Sequence, residues 1–536
     1  MNKNPAISRF YARDAQMYGS AQWADRPYLK TRGYGQNGRK FFGYGVAEHR
    51  KAGSFAITSN SNRHTLRIGP TRSHKGTCGS IRKCLDHQGP LVAMDVKGGE
   101  MALIAARCRR DVLGRNVVLV DPRDCAASRL GMRSLAFNPL DWADPLSDTF
   151  VDDNFLIGDS TIMSRSEKDP HWADEAVSLI AGLSMHVKTS PLVLLPCPEE
   201  GRNLGQVRNI LNLGPAAFKN LVAGEFTKDE DGKVTLLKPG MAQSKNKYVR
   251  AAAGRILNKS ERERSGVIST AQSNTHFLEG PINRKILAKS DFDPRDLERG
   301  DMDIFFILPA GRIQQDARLT RLFVSVFLTI ITRFKKKPEI PVCMLVEECA
   351  ALKRLEPLET AMGLLAGLGV ELDLVWQDLN QLAGIYNESW QSFIANCSEV
   401  QCLGTNDNFT AEYISKRSGI ATVENLSYES AQMRAGLFGD PSYLSTHDQL
   451  VQRPLITADE IMTAHPVAQY LFLANAHPAE AYKAPYYLDR CYRNKKDEPL
   501  FSIHPDYEGR ALPRSIDFTK PGLDIGAALA PFMVEG

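Results

Sequence analysis

Short apolar runs that end in polar side chains recur along this 536-residue chain, and stretches with helical spacing separate most of them. The runs are residues 65–68, 91–95, 116–121, 302–309, 341–348, 370–375, 397–403 and 470–474. Apolar runs of this length are typical of strands buried on both faces, as in a parallel sheet covered by helices. We therefore predict an α/β fold with a parallel-rich central sheet, whose ligand crevice lies at the carboxyl ends of the strands.

The first run is followed by a turn that is similar to a phosphate-binding loop. In the pattern G-x-x-x-x-G-K-[ST], backbone N–H groups and a lysine converge on phosphate oxygens at a helix N-terminus. Gly69 and Lys75 match this pattern, whereas His74 replaces the second glycine and Gly76 replaces the hydroxyl residue. An ordinary basic turn is the competing interpretation. The candidate nucleotide-binding residues are Gly69, Thr71, Arg72, Ser73, His74, Lys75, Gly76 and Thr77.

His74 stands where the pattern requires a left-handed backbone. A β-carbon raises the energy of that conformation by about 1–2 kcal/mol, which is why glycine is usual there. Histidine is among the residues that tolerate the left-handed region best. We therefore expect the loop to keep its conformation with His74 in place.

The run at 341–348 ends in two acids, Glu347 and Glu348. In phosphate-loop enzymes, one carboxylate at such a strand end helps to hold Mg²⁺ and another group orients the attacking water. Gln377 follows the next run and is placed to sense a γ-phosphate. The competing interpretation is a pair of acids before a helix N-terminus, where negative charge is favoured in any case.

The strand and helix alternation divides the chain into parts. We predict an irregular N-terminal arm at 1–64, a nucleotide-binding domain in two parts at 65–155 and 286–490, an all-α inserted domain at 156–285, and a loosely ordered C-terminal tail at 491–536.

The predicted insertion carries a basic face. Clustered cations of this kind can bind phosphates with release of counterions, although a solvated helix face is the more frequent explanation. The members of the face are Lys245, Lys247, Arg250, Arg255, Lys259, Arg262 and Arg264.

Composition favours a cytoplasmic protein. The net charge of +4 is too small to demand a nucleic-acid partner, and the ten cysteines include no C-x-x-C pair. That pattern favours reduced thiols over a disulfide framework or a zinc site. The N-terminus lacks the apolar core of a signal peptide. The longest apolar run, 322–332, is about half a membrane span and is better explained as a buried helix.

Several segments together resemble one family, the TraG-like coupling ATPases of type IV secretion and conjugation, which are related to RecA-like DNA pumps. The segments occur in the family's order. They are residues 19–24, 69–76, 95–100, 137–140, 169–176, 291–293, 347–352, 377–382, 406–413 and 453–457.

The resemblance implies a RecA-like P-loop NTPase domain interrupted by an all-α domain, assembled as a homo-hexamer at the inner face of the bacterial cell membrane. It implies ATP and Mg²⁺ as cofactors. It implies single-stranded DNA, a relaxase and secretion channel components as partners. By the same resemblance, Lys75 would hold phosphates, Glu347 with Thr77 would hold Mg²⁺, Glu348 would activate water, and Gln377 would sense the γ-phosphate.

The chain also departs from the family pattern. Glu347 stands where an aspartate is usual, and Glu371 occupies the position of an arginine finger that reaches a neighbour's ATP. Loss of such a finger can lower the rate by 10³–10⁵. Arg312, Arg318 and Arg321 are candidate replacements. The membrane helices that usually precede residue 19 are not recognisable, so we expect membrane contact through another protein.

Three functions follow as hypotheses. The leading one is an ATP-dependent coupling protein that brings relaxase-bound DNA or an effector protein to a type IV secretion channel. The second is a cargo adaptor that binds nucleotide but hydrolyses it weakly. The third is a soluble DNA-dependent ATPase of a mobile element.

Overall fold

The computed structural model describes residues 19–35, 38–46, 54–163, 170–228, 230, 233–428, 446–503 and 508–533. Asp169 of the matching segments, the arm before residue 19 and parts of the predicted tail lie outside these ranges.

Fifteen strands occur in the described ranges. They are β1 Lys40–Gly45, β2 Phe55–Ser59, β3 His64–Ile68, β4 Leu91–Asp95, β5 Asn116–Val120, β6 Glu225–Lys228, β7 Val234–Lys238, β8 Met302–Ile307, β9 Val342–Val346, β10 Val370–Trp376, β11 Cys397–Cys402, β12 Ile420–Tyr428, β13 Thr446–Pro454, β14 Ala468–Leu473 and β15 Ala479–Tyr482.

The α-helices of the same ranges cover the sheet or form the insertion. They are α1 Arg26–Thr31, α2 Ile81–Asp86, α3 Glu100–Asp111, α4 Ala127–Leu130, α5 Pro139–Trp142, α6 Phe150–Thr161, α7 His171–Thr189, α8 Leu204–Leu211, α9 Pro215–Ala223, α10 Lys247–Leu257, α11 Glu261–Asn274, α12 Pro281–Ile286, α13 Ala317–Thr332, α14 Glu356–Leu364, α15 Leu379–Tyr386, α16 Trp390–Asn396, α17 Asn408–Ser418, α18 Ala458–Met462 and α19 Ile525–Met533.

Eleven strands form one central sheet in the order β2-β1-β15-β14-β11-β3-β10-β9-β4-β8-β5. The seven strands from β11 to β5 are parallel to one another, and the remaining four join antiparallel at one edge. The predicted α/β fold with a parallel-rich sheet is confirmed. The eight predicted runs match eight of these strands, whose residues are almost wholly buried, as expected for strands covered by helices on both faces.

Helices cover both faces of the sheet, and successive strand residues therefore belong to different cores. In β4, Val92 and Met94 face a core shared with α13 and the insertion. Leu91 and Ala93 face a second core built with α2, α3 and the C-terminal segment. This alternation is the period of two that a strand dictates.

Residues 156–285 contain the predicted helical insertion, and its helices share their core with one face of the sheet. The insertion also carries a hairpin, β6 with β7, that the prediction did not include. All residues of β6 and β7 are exposed, including the apolar Phe226, Val234, Leu236 and Leu237, so the hairpin lies outside the buried core that the predicted strands share. The domain boundaries stay predictions.

Both predicted ends are more ordered than expected. The arm is not irregular throughout, since it supplies β1 and β2 to the sheet edge. The tail is not loosely ordered in its described part. Phe518 stacks on Tyr44 with ring centroids 4.8 Å apart, and Ile525 and Leu529 of α19 are buried in the second core.

Across the described residues, none of the helices combines the length and apolar character needed to cross a bilayer.

Candidate nucleotide-binding site

The phosphate-loop candidate lies at the carboxyl edge of the sheet, directly after β3. A π-helical turn, Gly76–Ser80, follows the loop and continues into α2. Gly69 approaches the loop closely, because a β-carbon there would lie 2.4 Å from Ser73 Oγ. Ser73 is buried and its hydroxyl has no hydrogen-bond partner within the described residues, while Thr71 and Arg72 are exposed. Gly69 and Ser73 therefore pack closely against each other within the loop.

Two loop residues have left-handed backbones, Arg72 with φ of 66° and His74 with φ of 65°. His74 thus adopts the conformation that the pattern assigns to glycine. Burial, together with the ammonium group of Lys483, lowers the pKa of the His74 imidazole. A neutral histidine fills this position without adding charge to the loop.

Lys75 points back across the loop toward the acids after β9. Its Nζ donates to the Gly69 carbonyl at 3.3 Å and lies 3.4 Å from Glu348 Oε1. Burial lowers the pKa of Lys75, and Glu348 only partly offsets that effect. The structure thus brings together two residues predicted to act at the same phosphate.

Glu347 and Glu348 are held by a second lysine that the sequence argument did not single out. Lys97 Nζ, in the loop after β4, lies 3.0 Å from Glu347 Oε2 and 3.6 Å from Glu348 Oε1. Gln377, directly after β10, donates from Nε2 to Glu348 Oε2 at 2.9 Å. Because β3, β10, β9 and β4 are neighbours in the sheet, residues far apart in sequence meet at one edge.

The electrostatics keep Glu348 ionised. Burial raises the pKa of Glu348, but Lys75, Lys97 and the hydrogen bond from Gln377 lower it, and the net shift is downward. Burial lowers the pKa of Lys97, and the two glutamates raise it to a net increase. The ionised Glu348 carboxylate can accept a hydrogen bond from a water molecule.

Asp95 adds a further buried carboxyl at the end of β4. Burial raises its pKa to about 7, against the hydrogen bond that its Oδ2 accepts from the Ala102 N–H at 3.0 Å. Its Oδ1 has no hydrogen-bond partner among the residues described. Two positions later, Lys97 reaches the Glu347 and Glu348 pair.

Gly76, which stands where the loop pattern has a serine or threonine, lies near the carboxylate of Glu100. A β-carbon on Gly76 would lie 3.9 Å from Glu100 Oε2. Thr77, the predicted substitute, instead has its hydroxyl within its own turn, 3.4 Å from the His74 carbonyl and 3.8 Å from Cys78 Sγ. A phosphate group fits the lysines and the loop, and Mg²⁺ suits the oxygen donors of the acids. The metal role of Thr77 stays a prediction.

The residue at the family's arginine-finger position and its candidate replacements differ in their surroundings. Glu371 is buried within β10, where it pairs with Lys83 and lies 3.5 Å from Lys40 Nζ. Arg321 is buried and donates to backbone carbonyls, including that of Ile162 at 2.9 Å. Neither side chain is available to a second subunit. Arg312 and Arg318 line an open cleft instead.

A cleft of about 680 Å³ opens beside Glu348 and Gln377. The loop between β8 and α13 forms its opposite wall, with Gln314 and Gln315 facing the site. Glu348 is therefore reachable from outside the subunit.

Several cations of the predicted basic face form ion pairs or hydrogen bonds within the insertion. Lys259 Nζ lies 3.0 Å from Glu175 Oε2, and Arg255 pairs with the same carboxylate. Arg250 donates to two backbone carbonyls. A nucleic-acid role of this face stays a prediction.

Lys97 lay within the matching segment 95–100, so its type and position were visible in the sequence. Its partners are about 250 positions away, and no local pattern reveals such a contact.

The chain matches known proteins over most of its length. A sequence profile described as "Type IV secretory system Conjugative DNA transfer" matches residues 23–507. The chain is 25% identical over 423 residues to the type IV secretion system-coupling protein VirD4 of Bartonella quintana, covering 77% of this chain and 61% of that protein. It is 25% identical over 483 residues to the conjugal transfer protein TraG of Escherichia coli, covering 83% of this chain and 71% of that protein. The chain therefore spans less than two thirds of the VirD4 relative.

Solved structures with the same fold include the bacterial conjugative coupling protein TrwBdeltaN70, with a TM-score of 0.60 and 14% identity over 90% of this chain and 95% of that one. TrwB in complex with ADP and Mg²⁺ has a TM-score of 0.59 at 15% identity, over 87% of this chain and 94% of that one. At these identities the likeness demonstrates the fold alone.

Proposed function

Because this chain belongs to the family of conjugative DNA transfer proteins of the type IV secretory system, we propose that it is an ATP-dependent coupling protein. The family match confirms the resemblance drawn from the ordered sequence segments. In this role the chain binds ATP, recruits relaxase-bound single-stranded DNA or an effector protein, and drives its transfer to a secretion channel.

The arrangement around Glu348 carries the proposal. Lys75 after β3, Glu348 after β9 and Gln377 after β10 meet at the carboxyl edge of three adjacent strands. Phosphoryl transfer needs a lysine on the phosphates and a group that orients the attacking water. These two requirements are met by residues in mutual contact.

Each residue has a role that follows from its environment. Lys75 binds phosphate oxygens, and the left-handed turn at His74 aims backbone N–H groups at the same oxygens. Glu347 would hold Mg²⁺, and Glu348 accepts a proton from water while Gln377 orients the carboxylate. When bound, Mg²⁺ supplies charge neutralisation between the phosphates.

The remaining partners rest on the family. TrwB was solved with ADP and Mg²⁺, and we extend the same cofactor class, as ATP and Mg²⁺, to this chain. We propose single-stranded DNA, a relaxase and channel components as partners, a homo-hexamer as the assembly, and membrane contact through another protein.

Steady-state ATP hydrolysis with and without single-stranded DNA tests this function. We expect turnover that DNA stimulates, and a loss of at least 100-fold in Glu348→Gln with ATP affinity retained. Lys75→Ala should lose both binding and turnover, whereas the exposed-site control Lys219→Ala should match the wild type. Wild-type turnover no higher than that of Lys75→Ala would refute an ATP-driven motor.

A nucleotide-binding cargo adaptor is the second candidate function. The residues at two positions considered for an arginine finger favour it. Glu371 and Arg321 are both committed to buried contacts within the subunit. An adaptor would bind ATP with ordinary affinity and show no turnover above the Lys75→Ala control, with or without DNA.

A further inference from the structure

A second cleft, of about 1070 Å³, lies between the insertion and the carboxyl edge of the sheet. Four arginines from separate elements line it. Arg123 follows β5, Arg208 is on α8, and Arg312 and Arg318 flank the start of α13. This convergence is independent of the phosphate loop, which lies after β3.

Two carboxylates only partly balance these arginines. Asp316 is buried and shared, since Arg123 Nη2 lies 3.1 Å and Arg312 Nε 3.0 Å from its Oδ2. Glu279 pairs with Arg208, whose Nε donates at 2.7 Å. The cleft therefore keeps an excess of positive charge.

Arg318 is the least compensated of the four. Its Nη2 donates to Asn274 Oδ1 at 3.3 Å, and within the described ranges it forms no ion pair. Burial lowers the pKa of its guanidinium, as expected for a cation without a nearby acid. The Nε atoms of Arg318 and Arg123 are buried and have no hydrogen-bond acceptor among the described residues. Unsatisfied guanidinium donors of this kind are suited to an oxyanion.

The rest of the lining adds neutral hydrogen-bonding groups and apolar surface. Ser269, Gln272 and Ser273 of α11 supply hydroxyls and an amide, and Phe277 and Ile282 supply carbon surface. A nucleic-acid single strand combines phosphates with flat, partly apolar bases, and proteins bind it with cationic grooves and aromatic or apolar platforms. A duplex of full width does not suit a cleft of this volume.

We propose that this arginine cleft binds the phosphodiester backbone of single-stranded nucleic acid. The inference deepens the proposed coupling function and rests on it. The other source of the same phosphate chemistry is a nucleotide held by a neighbouring copy of this chain, and the experiment separates the two.

The cleft also adjoins the nucleotide site. Gln315 lines both this cleft and the one beside Glu348, so the loop between β8 and α13 forms a shared wall. A strand bound at Arg312 and Arg318 would contact the same loop that faces Glu348. The two sites are thus connected by one short segment.

The test is binding of a fluorescein-labelled single-stranded oligonucleotide by fluorescence anisotropy at several salt concentrations. The variant is Arg123→Gln with Arg318→Gln. We expect affinity at about 0.1 M salt to fall roughly tenfold, and the salt slope to decrease by about 1.4 for two lost phosphate contacts. The matched control, Lys219→Gln with Lys238→Gln, removes two exposed cations of the insertion that lie outside the predicted basic face and should change binding much less.

Three outcomes overturn the inference. One is equal binding by the variant and the control, and another is wild-type protein that binds no oligonucleotide. The third is intact oligonucleotide binding combined with ATP turnover that falls and depends more steeply on protein concentration, since it assigns the arginines to a neighbour's nucleotide. Arg318→Lys, which keeps the charge, and equal urea midpoints exclude misfolding. ATP turnover of the wild type tests the proposed function separately.

Discussion

Lys75 and Lys97 together neutralise the acids at the end of β9. Lys75 also contacts the Gly69 carbonyl, so a phosphate in the loop would compete with Glu348 for it. Lys97 Nζ pairs with both glutamates and lies nearer to Glu347, at 3.0 Å, than to Glu348, at 3.6 Å. In the proposed function the two lysines have separate tasks, Lys75 toward phosphate and Lys97 toward the carboxylates.

Replacement of Lys97 by Met should destabilise the protein. Glu347 is buried, and loss of its cation leaves a charge without compensation, which costs about 1–3 kcal/mol. We expect urea unfolding of Lys97→Met to give a free energy of unfolding lower by that amount. Lys97→Arg should retain most of the wild-type stability. Unchanged stability of Lys97→Met would show that the ion pair contributes nothing.

The backbone of His74 makes a second prediction at the residue scale. A β-branched residue is strongly disfavoured at φ of 65°, so His74→Val should distort the loop at a cost of about 1–2 kcal/mol. We expect ATP affinity to fall about tenfold in His74→Val and to change less than threefold in His74→Gly. Calorimetric titration measures both, and a Val variant that binds like the wild type would contradict the strained-loop explanation.

The phosphate-loop candidate could be recognised because its pattern is local, and the left-handed backbone at His74 was expected for the same reason. The lysine pair and the arginine cleft could not, since their partners come from separate strands. Arg123 and Arg312, for example, meet at Asp316 from the ends of β5 and β8. Spacing along the chain holds no information on such encounters.

At the scale of elements, an ion pair fixes the strand that carries the phosphate loop. Arg67 of β3 is buried and binds Asp373 of β10 through Nε at 2.7 Å and Nη2 at 2.8 Å. Its Nη1 also donates to Gln401 of β11. One side chain thus joins three neighbouring strands beneath the loop.

Breaking this pair should be costly. Asp373→Asn leaves the Arg67 guanidinium buried without its charge partner, and such losses amount to about 3–5 kcal/mol. The double replacement Arg67→Met with Asp373→Leu should recover much of that loss, because it removes both charges. Chemical denaturation of the three proteins measures this. A double variant less stable than Asp373→Asn would contradict the explanation.

Central strands could be predicted and edge elements could not. Most central runs are rich in apolar residues because helices cover both faces of the sheet, and the polar residues of β3 and β11 are themselves buried. In β1, Gly43 and Gly45 interrupt any alternation, and the buried Lys40 looks like a surface residue until its partner Glu399 is known. The apolar residues of the tail are scattered among prolines and charged residues, and their packing depends on a core that the rest of the chain builds.

For the whole molecule, buried histidines link stability to pH. Burial lowers the pKa of His64, in the sheet, and of His186, in the insertion, to about 4. His64 Nδ1 accepts a hydrogen bond from the Leu372 N–H at 3.0 Å, which a protonated ring cannot do. Both rings are therefore neutral in the folded protein near pH 7.

Stability should fall as pH decreases from about 6.5 to about 4. In that window the unfolded chain binds protons at these histidines and the folded chain does not. Proton uptake at each histidine therefore lowers the free energy of unfolding by up to about 3 kcal/mol. Thermal unfolding of the wild type and of His186→Gln, measured between pH 7.5 and 4.5, isolates one ring. We expect the two curves to converge as the pH falls, and parallel curves would exclude a titrating His186.

The order of strands in the sheet also determines when, during translation, β3 can pair with its neighbour β10. Arg67 of β3 and its partner Asp373 are separated by 306 residues. At about 5–20 residues per second, a ribosome needs roughly 15 to 60 seconds to supply the strand that flanks β3. Throughout that interval the nascent chain exposes the loop on an unpaired strand. In the proposed function, nucleotide binding can therefore begin only in the last third of translation, after the insertion has already emerged.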